Sequence, residues 1–424
     1  MFYSSQFFFD KGQVAMIISP FKKKFRVESR DADSKQVLPH HLKTVILFGG
    51  IYSIAMQMAI LLVPLYAIKL NFPPLSLALL VSLPAILQII IRMLGGAITN
   101  YLGEKKILKI SFLCITIAGL VFIVSDSLLY LYLAQLLLST SRGLFWSTAQ
   151  TYLSKLPESE GRLNKIFGMF EGITAVGAIL GLILAGYFSE WFGISRAFIS
   201  LIIIGVISYF LTNALPDLPR TEQSKSLSVG LKSLKQVAGH RPIYLACLCA
   251  FTAALPLSLV GSFYPVYLNS LGIQEGMIGV IISVKAAGTV TAGFLVARFL
   301  DRGRSNLPYM ISFILIGSTL ILTQMFSSPV ILAAIIIFTG LGSGLSSILY
   351  QSLTTKFSTV ENRGAAMAFT TNFWSLSHLT VPVIFGVITE QMGISFSFVI
   401  SGISILILGL LGTLLFRWFT GSEA

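Results

Sequence analysis

Pro64-Leu65-Tyr66-Ala67-Ile68-Lys69-Leu70 returns 201 residues later as Pro265-Val266-Tyr267-Leu268-Asn269-Ser270-Leu271, with proline, tyrosine and leucine in register. The same shift sets Asn100 on Asp301, Gly143 on Gly344, Gln150 on Gln351, Lys155 on Lys356, Glu160 on Glu361 and Arg162 on Arg363. The register slips by one residue where Gly193-Ile194 meets Gly393-Ile394. The chain is therefore a tandem repeat.

Working outward, each copy is mostly apolar. Of 424 residues, 55% are hydrophobic and only 11% charged, with a mean hydropathy of +0.83. A soluble domain carries about 25% charged residues, so this surface calls for lipid. A spanning helix needs roughly 20 apolar residues to cross about 30 Å of hydrocarbon. Apolar segments read 42–68, 76–98, 107–125, 128–151, 166–187 and 194–213, then 243–268, 274–297, 308–326, 329–353, 366–389 and 394–418. The polar interval from Pro216 to Pro242 parts two sets of six. Six helices per copy return the chain to its starting side, so the repeat is parallel. Two such halves about an axis along the membrane normal, with a site between them near mid-membrane, is transporter architecture. The expected fold is an all-α membrane protein of 12 transmembrane helices. The expected parts are a basic disordered tail (1–41), a six-helix bundle (42–213), a linker (214–242), a second bundle (243–418) and a short tail (419–424).

The net charge of +13 is a matter of placement. Of the 30 lysines and arginines, 25 fall on the side that holds the N-terminus. Only Lys69 and Arg196 fall on the other side, and Arg92, Arg142 and Lys285 lie within helices. Positive residues gather on the cytoplasmic side, so both termini are expected there, in a multi-pass protein of the cell (inner) membrane. Lys22-Lys23-Lys24-Phe25-Arg26 suits anionic lipid, and Met16 is an alternative start. Cys114, Cys247 and Cys249 sit in apolar runs and read as small packing residues.

After the second helix stands Gly96-Ala97-Ile98-Thr99-Asn100-Tyr101-Leu102-Gly103-Glu104-Lys105-Lys106, answered in the second copy by Asp301-Arg302-Gly303-Arg304. This resembles the loop signature of the major facilitator superfamily: a glycine, an acidic-basic pair, a glycine, then basic residues. The resemblance implies a breakable latch at Gly96, Asn100, Gly103, Asp301 and Arg302. Asn100 and Tyr101 replace the charged pair, which weakens the first copy. In the fifth helix Gly168, Gly177, Gly181, Ala185 and Gly186 follow a glycine-rich pattern similar to that of the antiporter branch, largely drug-proton exporters. Leu182 stands where the pattern has proline. Small residues there permit close helix packing.

Ionisable residues inside lipid point to function. Arg142, Lys285 and His378 lie near helix centres, and Arg92 and Glu171 nearer the cytoplasmic ends. Gln135, Ser139, Arg142 and Trp146 share one face of the fourth helix. Glu171 either pairs with Arg142 or caps its helix, and Arg92 either acts in the membrane or snorkels. His378, one turn after Trp374, either carries protons or packs through a hydrogen bond. Lys285 either loses its proton through desolvation or binds an anion. Tyr52, Gln57, Ser262, Tyr264, Ser343, Ser347 and Gln351 are further candidates for the cavity wall.

No paired acids, Cys/His ligand spacing or nucleotide loop appears, so no enzyme activity, cofactor or metal is expected. The expected partners are a small-molecule substrate, protons and the lipid bilayer, not nucleic acid, and the chain is expected to act as a monomer. The leading expectation is proton-coupled efflux of small organic molecules by alternating access. Uptake of an anionic metabolite or sugar is the alternative, and a transport-dead receptor or scaffold the alternative outside transport. The deep charges are basic, which argues for neutral, anionic or weakly selective apolar cargo.

Overall fold

The computed structural model describes residues 40–124, 127–155, 163–217, 235–300, 306–359 and 363–420. Nearly all of the basic tail, the middle of the linker, and Asp301 and Arg302 lie outside the described residues. So do the side chains of Arg92, Gly96 and Asn100.

The first copy forms α1 (His40–Lys69), α2 (Pro74–Leu102), α3 (Glu104–Val124), α4 (Leu128–Lys155), α5 (Leu163–Phe192) and α6, split into Ile194–Ala197 and Ile199–Leu211. The second forms α7a (Ile243–Val260), α7b (Phe263–Ser270), α8a (Glu275–Ser283), α8b (Lys285–Leu300), α9 (Asn306–Thr323), α10 (Pro329–Lys356), α11 (Arg363–Met392) and α12 (Ile394–Thr420). Helices satisfy their backbone groups internally, which is what a segment surrounded by hydrocarbon requires. Among the described residues eleven helices are long and apolar enough to cross a membrane, and Leu307–Thr323 in α9 is apolar but shorter. Their outer faces are apolar as well: Val124, Leu129, Phe210, Val330 and Leu410 are all exposed.

The repeat is legible in the packing. α3 lies against α4 and α6 as α9 lies against α10 and α12, and α2 meets α4 as α8b meets α10. Tyr66 meets Phe198 edge-on at 5.5 Å, and its repeat mate Tyr267 meets Phe398 at 5.2 Å. Ser111 on α3 is 3.1 Å from Ser141 on α4, and its mate Ser312 on α9 accepts a hydrogen bond from Ser346 on α10 at 3.0 Å. The turn after α1 needs a left-handed residue, and Asn71 (φ 55°) and its mate Gly272 (φ 75°) both supply one. Asparagine and glycine are the residues that tolerate this conformation.

The copies diverge at their shared proline. α1 runs unbroken through Pro64, whereas α7 breaks at Gly261-Ser262, four and three residues before Pro265. A proline within a helix lacks its N–H and crowds the carbonyl four residues back. Here that carbonyl belongs to Gly261, which has little hold on helical geometry. In α1 the matching residue is Ile60.

The two copies meet through α2 against α11 and α5 against α8a. These contacts lie at the end of the bundle where α1 finishes and α2 begins. There the Gly276 N–H donates to Glu190 Oε2 at 3.0 Å. Towards the other end of α5, Gly168 and Gly172 face open space and Glu171 is exposed.

Candidate functional site

Between the two copies lies a cavity of about 600 Å³, walled by α1, α2, α4, α7a and α11. α4 contributes the longest strip: Gln135, Ser139, Arg142, Trp146, Ser147 and Gln150 all line it. At 1.5 Å per residue that strip is about 22 Å long. α1 adds Ser53 and Gln57, α2 adds Gln88, and across the cavity stand Ser258 on α7a and Thr371, Trp374 and His378 on α11.

The α4 wall is stiffened by aromatic packing. Tyr52 stacks on Phe145 with centroids 3.6 Å apart and rings parallel within 1°. Trp146 meets Tyr52, Phe145 and Phe170 edge-on at 6.2, 5.8 and 5.8 Å. The Tyr52 hydroxyl lies 3.3 Å from Ser141 Oγ, closing a chain through Ser141 to Ser111. Arg142 projects from this braced surface, half-buried.

On the facing wall Ser258 Oγ is 3.0 Å from His378 Nδ1. Ser258 Oγ also lies 3.0 Å from the Ala254 carbonyl, to which its hydroxyl can donate, and whether His378 Nδ1 gives or accepts the proton follows the ring tautomer. The Trp374 and His378 ring centroids are 4.3 Å apart. The sequence signal for Ser258 was only its place one turn before Ser262, whose hydroxyl donates to the Ser258 carbonyl at 2.7 Å.

Of the residues singled out from sequence, Gln57, Gln135, Ser139, Arg142, Trp146, Trp374 and His378 meet at this cavity. Tyr52, Glu171, Ser262, Tyr264, Lys285, Ser343, Ser347 and Gln351 do not line it. Glu171 is exposed on α5, and among the described residues no ion pair joins it to Arg142. Lys285 opens α8b at the break in that helix, its carbonyl pressed where a side chain on Gly340 would be. Tyr264 is buried against Phe398 at 6.0 Å, and Gln351 is exposed on α10. The break at Gly261-Ser262 separates α7b, which carries Tyr264, from α7a, which lines the cavity. In the sequence Gln88 carries neither charge nor repeat match, whereas Gln150 is the repeat mate of Gln351 and follows Trp146 by four residues.

The α5 glycines form two seats. A side chain at Gly177 would collide with the Gly50 backbone of α1, and one at Gly181 would lie 2.9 Å from Ile54 Cα. Gly186 abuts the Glu275 carbonyl of α8a, on the other copy. Gly103 takes φ 85° between α2 and α3, and a side chain there would meet nothing within 4 Å. Among the described residues no group of three or more His, Cys, Asp or Glu is placed to share a metal ion.

Residues 45–267 and 246–423 each match the family model described as Major Facilitator Superfamily. The chain belongs to the Major Facilitator Superfamily. Its likeness to named members is distant but extends over most of their length. It is 20% identical to an uncharacterized transporter of the superfamily, YxaM of Bacillus subtilis (strain 168), over 81% of this chain and 88% of that protein. It is 21% identical to the quinolone resistance protein NorA of Staphylococcus aureus (strain MSSA476), over 84% of this chain and 90% of that one. Among solved structures, the nucleoside transporter NupG superposes with a TM-score of 0.74 at 16% identity, over 89% of this chain and 99% of NupG. As a Major Facilitator Superfamily member the chain is a multi-pass membrane transporter and not an enzyme.

Proposed function

We propose that the protein exports small organic molecules by alternating access, driven by protons, across the cell membrane. The observation that carries this reading is the cavity between the copies, shut at one end where α5 meets α8a and α2 meets α11. With positive residues placed inside, both termini are cytoplasmic and the shut end faces outward. The bundles 42–213 and 243–418 rock about Arg142 and His378, and one copy of the chain suffices. His378 is the proton carrier, since imidazole titrates nearest neutrality. Each state must be favoured by a few kcal/mol of differential binding. The likeness to NorA supports export over uptake.

Uptake of an anionic metabolite or sugar is the second reading, favoured by Arg142 on the cavity wall and by the fold shared with NupG. The test uses everted vesicles holding an inward-acid gradient, reported by a quenched dye. Cationic, neutral and anionic compounds are added singly. Fluorescence recovery that is lost in His378→Ala vesicles is the result expected. Recovery with no compound rejects proton-driven efflux, and labelled uptake into intact cells then tests the second reading.

A further inference from the structure

Two features of the cavity belong together: its charge and its rings. Arg142 brings a guanidinium to the wall, and among the described residues no carboxylate lines the cavity. Among the described residues the guanidinium has no hydrogen-bonding or ion-pairing partner. A cation inside a membrane protein is costly unless a counter-charge or water meets it. Apart from His378, the other polar wall residues that could meet cargo are neutral amides and hydroxyls, among them Gln57, Gln88 and Gln135.

Two rings line the cavity together with that charge, one from each copy. Trp146 lies one helical turn beyond Arg142 and is fixed by edge contacts to Tyr52, Phe145 and Phe170. Trp374 comes from the facing helix, held beside His378. Rings fixed before cargo arrives lose little freedom on binding it. Tryptophan faces also attract cations, but a cation here would meet Arg142 with no lining carboxylate to offset the repulsion. The acid next along, Glu171, follows the Phe170 that packs on Trp146, yet it is exposed and outside the cavity wall. A volume of about 600 Å³ admits a molecule of drug size, since such sites run to roughly 300–1,000 Å³.

We infer that the cavity takes an organic anion with a flat aromatic body, its carboxylate on Arg142 and its ring between Trp146 and Trp374. Guanidinium and carboxylate match as two parallel hydrogen bonds, a geometry that lysine does not offer. The inference rests on the transport reading only in taking this cavity as the place where cargo sits.

The test is calorimetric titration of the purified full chain in lipid nanodiscs, where no gradient or transport is needed. Four probes are used: naphthoate, naphthamide, naphthylmethylammonium and cyclohexanecarboxylate. Naphthoate is expected to bind at least about tenfold tighter than each of the others, one charge-assisted hydrogen bond being of that order. Arg142→Gln should bring naphthoate down to the affinity of naphthamide and leave naphthamide unchanged. Trp374→Leu should weaken both by about tenfold. Should Arg142→Gln not fold, Arg142→Lys decides instead, by a smaller loss confined to the two carboxylates. Equal binding of naphthoate and naphthamide overturns the inference, as does tightest binding of the ammonium or no heat from naphthoate at millimolar concentration. Naphthoate binding without proton-driven efflux leaves this inference standing and removes the coupling. Efflux of cations without anion preference does the reverse.

Discussion

Ser258 on α7a and His378 on α11 are joined side chain to side chain at 3.0 Å, on the cavity wall opposite Arg142. The bond holds one edge of the imidazole toward α7a, where the Ser258 hydroxyl also reaches the Ala254 carbonyl at 3.0 Å.

A double-mutant cycle measures that contact. Ser258→Ala and His378→Ala should be non-additive in thermal or denaturant stability, with a coupling of about 0.6–1.7 kcal/mol, the range for side-chain bonds between membrane helices. Additive losses would remove the contact from the account.

The α5 glycines should divide sharply on substitution. Gly177→Ala drives a methyl into the Gly50 backbone, and overpacking of this kind costs about 1–3 kcal/mol. Gly168→Ala and Gly172→Ala meet nothing within 4 Å and should be neutral or gain up to about 1 kcal/mol of helix propensity. Melting curves in detergent distinguish the two groups; equal losses at all three positions would mean that close packing is not what Gly177 serves.

Glu190 should hold the shut end closed. Its carboxylate accepts the Gly276 N–H across the interface between copies, in a partly exposed setting worth about 1 kcal/mol. Glu190→Ala should therefore raise the population open at that end about fivefold, and Glu190→Gln, which keeps an acceptor, should raise it less. Spin labels at the exposed positions Trp191 and Met277 read the separation. An unchanged distance distribution in Glu190→Ala would deny the residue any part in closure.

The free cysteines should be slow to react. Cys114, Cys247 and Cys249 are buried within helices, so maleimide labelling of the folded protein, followed by mass, should leave all three unmodified until denaturant is added. Rapid labelling of any one would show that its helix opens.

The sequence by itself determined the helices and the repeat. Apolar runs of spanning length have one way to satisfy their backbone in lipid, and the spacing of Pro64, Tyr66 and Leu70 against Pro265, Tyr267 and Leu271 reappears as matching contacts such as Tyr66–Phe198 and Tyr267–Phe398. Arg142, Trp146, Gln135 and His378 were legible because polar residues in apolar helices stand out and helical spacing sorts them onto faces. Only the tertiary structure decided which faces meet. Whether Glu171 reaches Arg142 depends on how α5 rotates against α4, and the α5 glycines fix that rotation by seating α1 and α8a. Tyr264 is separated from the cavity-lining α7a by the Gly261-Ser262 break, which the repeat could not foretell because Pro64 leaves α1 intact. Gln88 is marked by neither charge nor spacing, and Gln150 only by its repeat mate Gln351 and its place four residues after Trp146; they line the cavity because separate helices converge there, and convergence is a property of packing that no single helix encodes.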